Sequence, residues 1–142
     1  MTAAVRIVFD TNVLLSLFVF ADSRYAPLRE RLEGGEIVAL TDERCLGEFR
    51  RVLAYPMFSL ADDAQRAAFE SYSRHAIVVA AKADAVPLPQ CKDADDQKFL
   101  EVARDGKARW LVTSDKALLR MARRRKLAHL FDIITPDQSL AR

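Results

Sequence analysis

Val5-Arg6-Ile7-Val8-Phe9-Asp10-Thr11-Asn12-Val13 is a short apolar run that ends on an acid and turns into a helical pattern. Four more strand-like runs follow, at Ile37 to Leu40, Ala76 to Ala80, Arg109 to Val112 and Asp132 to Ile134, with helical patterns between them. Such alternation predicts an α/β fold: a five-stranded, mostly parallel sheet flanked by helices on both faces and joined by right-handed crossovers. A sheet of this kind binds ligands beyond the carboxyl ends of its strands, which is where Asp10 stands.

The chain has 142 residues and 51% hydrophobic content, enough for one real core, so residues 1–142 read as one domain. With 22 Lys and Arg against 20 Asp and Glu, the formal charge of +2 neither demands nor excludes an anionic partner. The longest apolar stretch, Val13 to Ala21, is interrupted by Ser16 and falls far short of the roughly 20 residues that cross a bilayer. The N-terminus, with Arg6 and then Asp10, lacks the ordered regions of a secretion signal, so a cytoplasmic location is expected. Cys45 and Cys91 form no CxxC and have no nearby His, which disfavours zinc and a disulfide framework.

Helix boundaries fit the alternation. Gly34-Gly35 ends a helix begun near Arg24, Thr41 can cap the next, and Tyr55-Pro56 stops it. Ser59 and Asp62 have capping-box spacing ahead of a helix to about Arg74, and Asp105-Gly106 closes the helix that contains Asp96. Thr135, Pro136 and Gln138 predict a short, boxed closing helix. Val86-Pro87-Leu88-Pro89 reads as an extended connection.

Acids recur where this fold can bring them together: Asp10, Glu48, Asp96 and Asp115. Asp10 and Asp115 each follow a strand and precede a helix, so each has an ordinary use as an N-cap. Glu48 lies at the edge of the stripe Cys45, Phe49 and Val52, with Arg44 and Arg51 in reach as helical neighbours. Asp96, Phe99, Leu100 and Ala103 follow i, i+3, i+4, i+7, which turns Asp96 inward, while Asp93 suits the N-cap and Asp95 the first turn. Singly, each acid has a structural explanation. Jointly, carboxylates brought close raise one another's pKa unless a cation or proton intervenes. Oxygen ligands without His or Cys favour magnesium or manganese, and such a site activates water and neutralises a phosphate.

At these residues the chain resembles the PIN-domain ribonucleases, especially the bacterial toxins of toxin-antitoxin systems. The motifs that carry the resemblance are Phe9-Asp10-Thr11-Asn12-Val13, Leu46-Gly47-Glu48-Phe49-Arg50-Arg51-Val52-Leu53, Asp93-Ala94-Asp95-Asp96-Gln97-Lys98-Phe99-Leu100 and Val112-Thr113-Ser114-Asp115. It implies a parallel sheet with an acidic pocket at its carboxyl edge, and a magnesium- or manganese-dependent endoribonuclease that hydrolyses single-stranded RNA. By position it makes Asp10 and Asp96 the principal metal ligands, with Glu48 between them, Asp115 completing the pocket and Asp93 as an auxiliary. Asn12 and the hydroxyls of Thr11, Thr113 and Ser114 then resemble the polar groups that orient those carboxylates. The resemblance also implies a homodimer and a small protein antitoxin. The stripe Tyr25, Leu28 and Leu32 could serve such an interface, although core is the commoner use of that spacing.

The basic run Arg120-Met121-Ala122-Arg123-Arg124-Arg125-Lys126 could grip an RNA backbone or be the solvated end of a helix whose dipole favours cations, and the sequence leaves both open. Phe9, Phe18, Phe49 and Phe99 lie on expected core faces and offer no base-stacking platform. His75 and His129 stand alone, and a lone His is more often structural or exposed than catalytic. Two other phosphate-handling folds fit worse. A haloacid-dehalogenase-type phosphatase needs a second acid where Asn12 stands, and a phosphoacceptor receiver domain needs an acidic pair near its first strand. A non-catalytic RNA-binding module on the same fold, or a housekeeping RNA-processing nuclease, is the alternative reading.

Overall fold

The computed structural model describes residues 3–125 and 127–142. Strands β1 (Val5–Phe9), β2 (Ile37–Thr41), β3 (Ala76–Val78), β4 (Trp110–Val112) and β5 (Asp132–Ile134) form one sheet in the order β3-β2-β1-β4-β5. Each of these pairings is parallel, with Ile37 beside Val5, Trp110 beside Ile7, Ala76 beside Ala39 and Asp132 beside Trp110. The expected strands are all present, each within two residues of its expected bounds.

Helices α1 (Thr11–Phe18), α2 (Ala26–Glu33), α3 (Glu43–Leu53), α4 (Asp62–Ser73), α5 (Gln97–Asp105), α6 (Lys116–Arg120) and α7 (Pro136–Leu140) cover both faces. Successive strand residues point to opposite sides, so Ile7, Phe9, Trp110 and Val112 join one core and Val8 and Leu111 the other. The first core is closed by Leu14 of α1, Leu28 of α2, Phe49 of α3 and Tyr72 of α4; the second by Phe99 and Leu100 of α5 and Leu118 of α6. Tyr25, Leu28 and Leu32 are buried in the first core, so that stripe is not an interface.

Two expected caps move by local chemistry. Asp42 rather than Thr41 caps α3, its carboxylate accepting from the Cys45 N–H at 2.9 Å, because Thr41 stays in the ladder and accepts from the Val79 N–H. Ser59 caps nothing ahead of α4: it closes a 3-10 turn over Pro56–Phe58 in a left-handed conformation, and Ala61 precedes α4 without a side-chain cap. Other boundaries stand. Gly35, at φ 83°, ends α2 with its N–H on the Leu32 carbonyl and the Glu36 N–H on that of Arg31, a paired Schellman closure. Thr135 and Gln138 form the reciprocal capping box of α7. Among the described residues, no helix is long and apolar enough to cross a membrane.

Candidate active site

The order of strands reverses between β1 and β4, since β2 and β3 lie on one side of that pair and β5 on the other. In an open parallel sheet the crevice at this reversal is where loops diverge and leave room for a ligand. The Asp10 N–H donates to the Val112 carbonyl at 3.2 Å, so the first acid is pinned to the neighbouring strand end.

Asp10 uses its two oxygens differently. Oδ1 accepts from the Val13 N–H at 2.9 Å and caps α1, whereas Oδ2 accepts from the Thr113 hydroxyl. Thr113 Oγ1 in turn accepts from the Asp115 N–H at 3.0 Å, and Asp115 caps α6 by accepting from Ala117 and Leu118 N–H groups. Capping and site-building are therefore compatible: the cap fixes the carboxylate at the crevice. Asp93 caps a 3-10 turn over Ala94–Asp96, accepting from the Asp95 N–H at 2.9 Å, which delivers Asp96 to the start of α5 with no capping bond of its own.

Electrostatics records the meeting of these acids. Asp10 is 5% exposed, and burial, with the charges of Asp96 and Asp115, pushes its carboxyl up to about 6 against the ordinary 3.8, while the Thr113 and Val13 bonds pull it down. Asp96 is pushed up to about 6 by burial and the charges of Asp115, Asp93 and Glu48, with Lys98 offsetting part. Cys91 is pushed up to about 11 by burial and by Asp96, Asp93 and Asp115, so it remains a protonated thiol at the rim.

Glu48 is held from other quarters than the sequence suggested. Its Oε1 accepts from the buried Thr11 hydroxyl and its Oε2 from Lys98 Nζ at 2.7 Å; Lys98 also donates to the Asp95 carbonyl. Arg44 instead pairs with Asp42 at 2.7 Å and Glu101 at 2.6 Å, and Arg51 forms no ion pair among the described residues. Lys98 was missed because it lies 50 positions from Glu48, beyond any helical spacing. Its place two residues after Asp96 inside the acidic motif was the available signal. Gln97 was missed too: its side chain accepts from the Cys91 N–H at 2.7 Å and donates to the Pro89 carbonyl at 3.1 Å, fastening the Pro-rich connection to α5.

Of the four polar groups expected to orient acids, Thr11 and Thr113 bond to them. Asn12 and Ser114 are exposed and make no side-chain bond to an acid among the described residues. Arg120, Arg123, Arg124 and Arg125 are exposed beyond Asp115; Lys126 lies outside the described residues. The run is not one helix end, because α6 stops at Arg120 and a 3-10 turn takes Met121–Arg123. Phe9, Phe18, Phe49 and Phe99 are buried as expected, while exposed Phe20 and Tyr55 pack on Phe58 with ring centroids at 5.7 and 6.4 Å. A cleft of about 700 Å³ between α3 and α4 is lined by Arg50, Arg66 and Phe69 but by none of the four acids.

Residues 6–117 match the family model of the PIN domain. The chain belongs to the PIN-domain family. No curated protein and no solved structure matches it. PIN domains are generally nucleases and typically use divalent metal ions, and the matched span of this PIN domain contains Asp10, Glu48, Asp96 and Asp115. Among the described residues, no three His, Cys, Asp or Glu side chains stand grouped to hold a metal ion. The donor chemistry of this PIN domain nevertheless fits a hard divalent cation. Burial first, and then the charges of neighbouring acids, raise the proton affinity of Asp10 and Asp96, and these oxygen donors suit a cation of that kind.

Proposed function

We propose that this PIN domain, residues 1–142, is a magnesium- or manganese-dependent endoribonuclease acting on single-stranded RNA. We read it as the toxin of a toxin-antitoxin pair, working as a homodimer restrained by a small protein antitoxin. What supports the nuclease reading is that Asp10 follows β1 and Asp115 follows β4, the two strands at the reversal point of the sheet, and that the charges of Asp96 and Asp115 both act on the buried Asp10.

Asp10, Asp96 and Asp115 would hold the ion, with Glu48 beside them and Asp93 as an auxiliary. When bound, a divalent ion of this class activates water and neutralises charge on a phosphate. The chain's own part is orientation. Thr113 fixes the angle of Asp10 and couples it to the Asp115 backbone, and Thr11 with Lys98 fixes Glu48. No protein nucleophile would be needed: water would form the new bond to phosphorus as the bond to the ribose oxygen breaks, and the proton that the water loses balances the one that the leaving oxygen gains.

Cleavage of a mixed single-stranded RNA pool by purified protein with magnesium or manganese, beside Asp10→Asn and a chelator control, tests this reading. Cleavage abolished in both controls supports it. Persistence in Asp10→Asn removes the site assignment, and RNA binding without cleavage in the wild type leaves the non-catalytic module. Arrest of bacterial growth on induced expression of wild type but not Asp10→Asn separates a toxin from a housekeeping nuclease.

A further inference from the structure

Cations flank the acids on two sides, and the sides differ. Next to Asp115 and Asp93, two clefts share Arg120: one of about 310 Å³ also lined by Lys92 and Arg124, the other of about 550 Å³ also lined by Lys116 and Arg123. No acid lines either, and none of these five cations forms an ion pair among the described residues. Next to Glu48, a cleft of about 360 Å³ holds Arg44, Arg51 and Lys98 but also Asp95 and Glu101, and Arg44 and Lys98 are already paired there.

A helix-dipole account covers Arg120, in the last turn of α6, but not the group as a whole. Cations favour the last turn of a helix, yet Lys116 opens α6, where the dipole disfavours it, and Lys92 comes from the connection ahead of Asp93. Unpaired like charges gathered from separate elements repel one another and cost stability unless an anion joins them.

We propose that the two clefts around Arg120 are phosphate subsites that hold the RNA strand on one flank of the cleaved bond, with Lys92 and Lys116, the chain neighbours of Asp93 and Asp115, among the contacts. This rests on the ribonuclease reading above. The Arg44 and Arg51 side is not a phosphate track, so the substrate is gripped asymmetrically.

The test is equilibrium binding of a fluorescent single-stranded RNA decamer to Asp10→Asn protein in chelator, across a salt series, so that neither metal nor turnover enters. Lys92→Gln with Lys116→Gln is expected to weaken binding on the order of tenfold and lower the salt slope by about 1 to 2, whereas Arg44→Gln with Arg51→Gln changes affinity less than about twofold. Melting curves confirm that both pairs fold. An unchanged affinity in the first pair, or an equal loss in the second, overturns the asymmetric track while the nuclease reading stands if wild type cleaves RNA. Failure of every form to bind RNA overturns the track, and the nuclease reading falls with it only if wild type with manganese also leaves RNA uncut.

Discussion

At the scale of single residues, Asp10 and Asp115 cap helices and are also joined through Thr113. Its side chain is fully buried, donates to Asp10 and accepts from the Asp115 N–H, so it ties two of the proposed site's acids to one hydroxyl. Thr113→Val keeps the shape and removes both bonds. It should cost about 1 to 3 kcal/mol of stability and lower manganese affinity roughly 10- to 100-fold. Melting and manganese titration of the chelated protein check this; unchanged affinity would leave Thr113 with a purely structural role. The same residue marks a limit of sequence reading. Thr11 and Thr113 look no different along the chain from Asn12 and Ser114, yet strand and helix geometry turn the first two inward and leave the other two in solvent.

Among the elements, α5 sets the position of two charged residues at once, Asp96 at its start and Lys98 one step inside. Its far end depends on Gly106, where an added Cβ would stand 2.8 Å from Leu40 Cδ1 and 2.9 Å from Val79 Cγ2. Gly106 is needed for this close approach and not for a left-handed backbone, which Lys107 adopts instead at φ 53°. Gly106→Ala should therefore destabilise the fold by about 1 to 3 kcal/mol, read as a lower melting temperature; a gain in stability would mean that β2 and the segment after β3 yield easily. The helix-ending role of Asp105-Gly106 was legible in the sequence. The crowding that demands glycine was not, because Leu40 and Val79 reach it from other parts of the chain.

For the whole molecule, the raised proton affinities of Asp10 and Asp96 link stability to pH and, on the proposed function, to metal. Asp10 and Asp96 bind protons with pKa about 6 in the folded chain against the ordinary 3.8, so between about pH 7 and 4 the folded state holds protons that the unfolded state has released. These raised values mean that the two groups favour folding at low pH and lose that contribution as pH rises through about 6. Metal-free protein should melt higher near pH 5 than near pH 8, and Asp10→Asn should shrink the difference. Manganese needs the deprotonated acids, so the rise in melting temperature that it gives should be larger near pH 8 than near pH 5, and cleavage should fall as pH drops through about 6. Chelated and manganese-loaded melts at both pH values decide; a metal effect independent of pH would place the ion elsewhere.

The sequence by itself determined the strands, most helix ends, the two-sided cover of the sheet and the caps that Asp10 and Asp115 supply. Those features follow from local rules: an apolar run buries, Gly35 permits a left-handed turn, and Asp10 satisfies orphan N–H groups. Tertiary structure alone decided that β1 and β4 are neighbours, that Lys98 and not an arginine answers Glu48, and that Lys92 joins the basic surface beside Asp115. Each of these is a contact between distant segments. Its free energy depends on which groups folding brings out of water together, and no spacing along the chain encodes that.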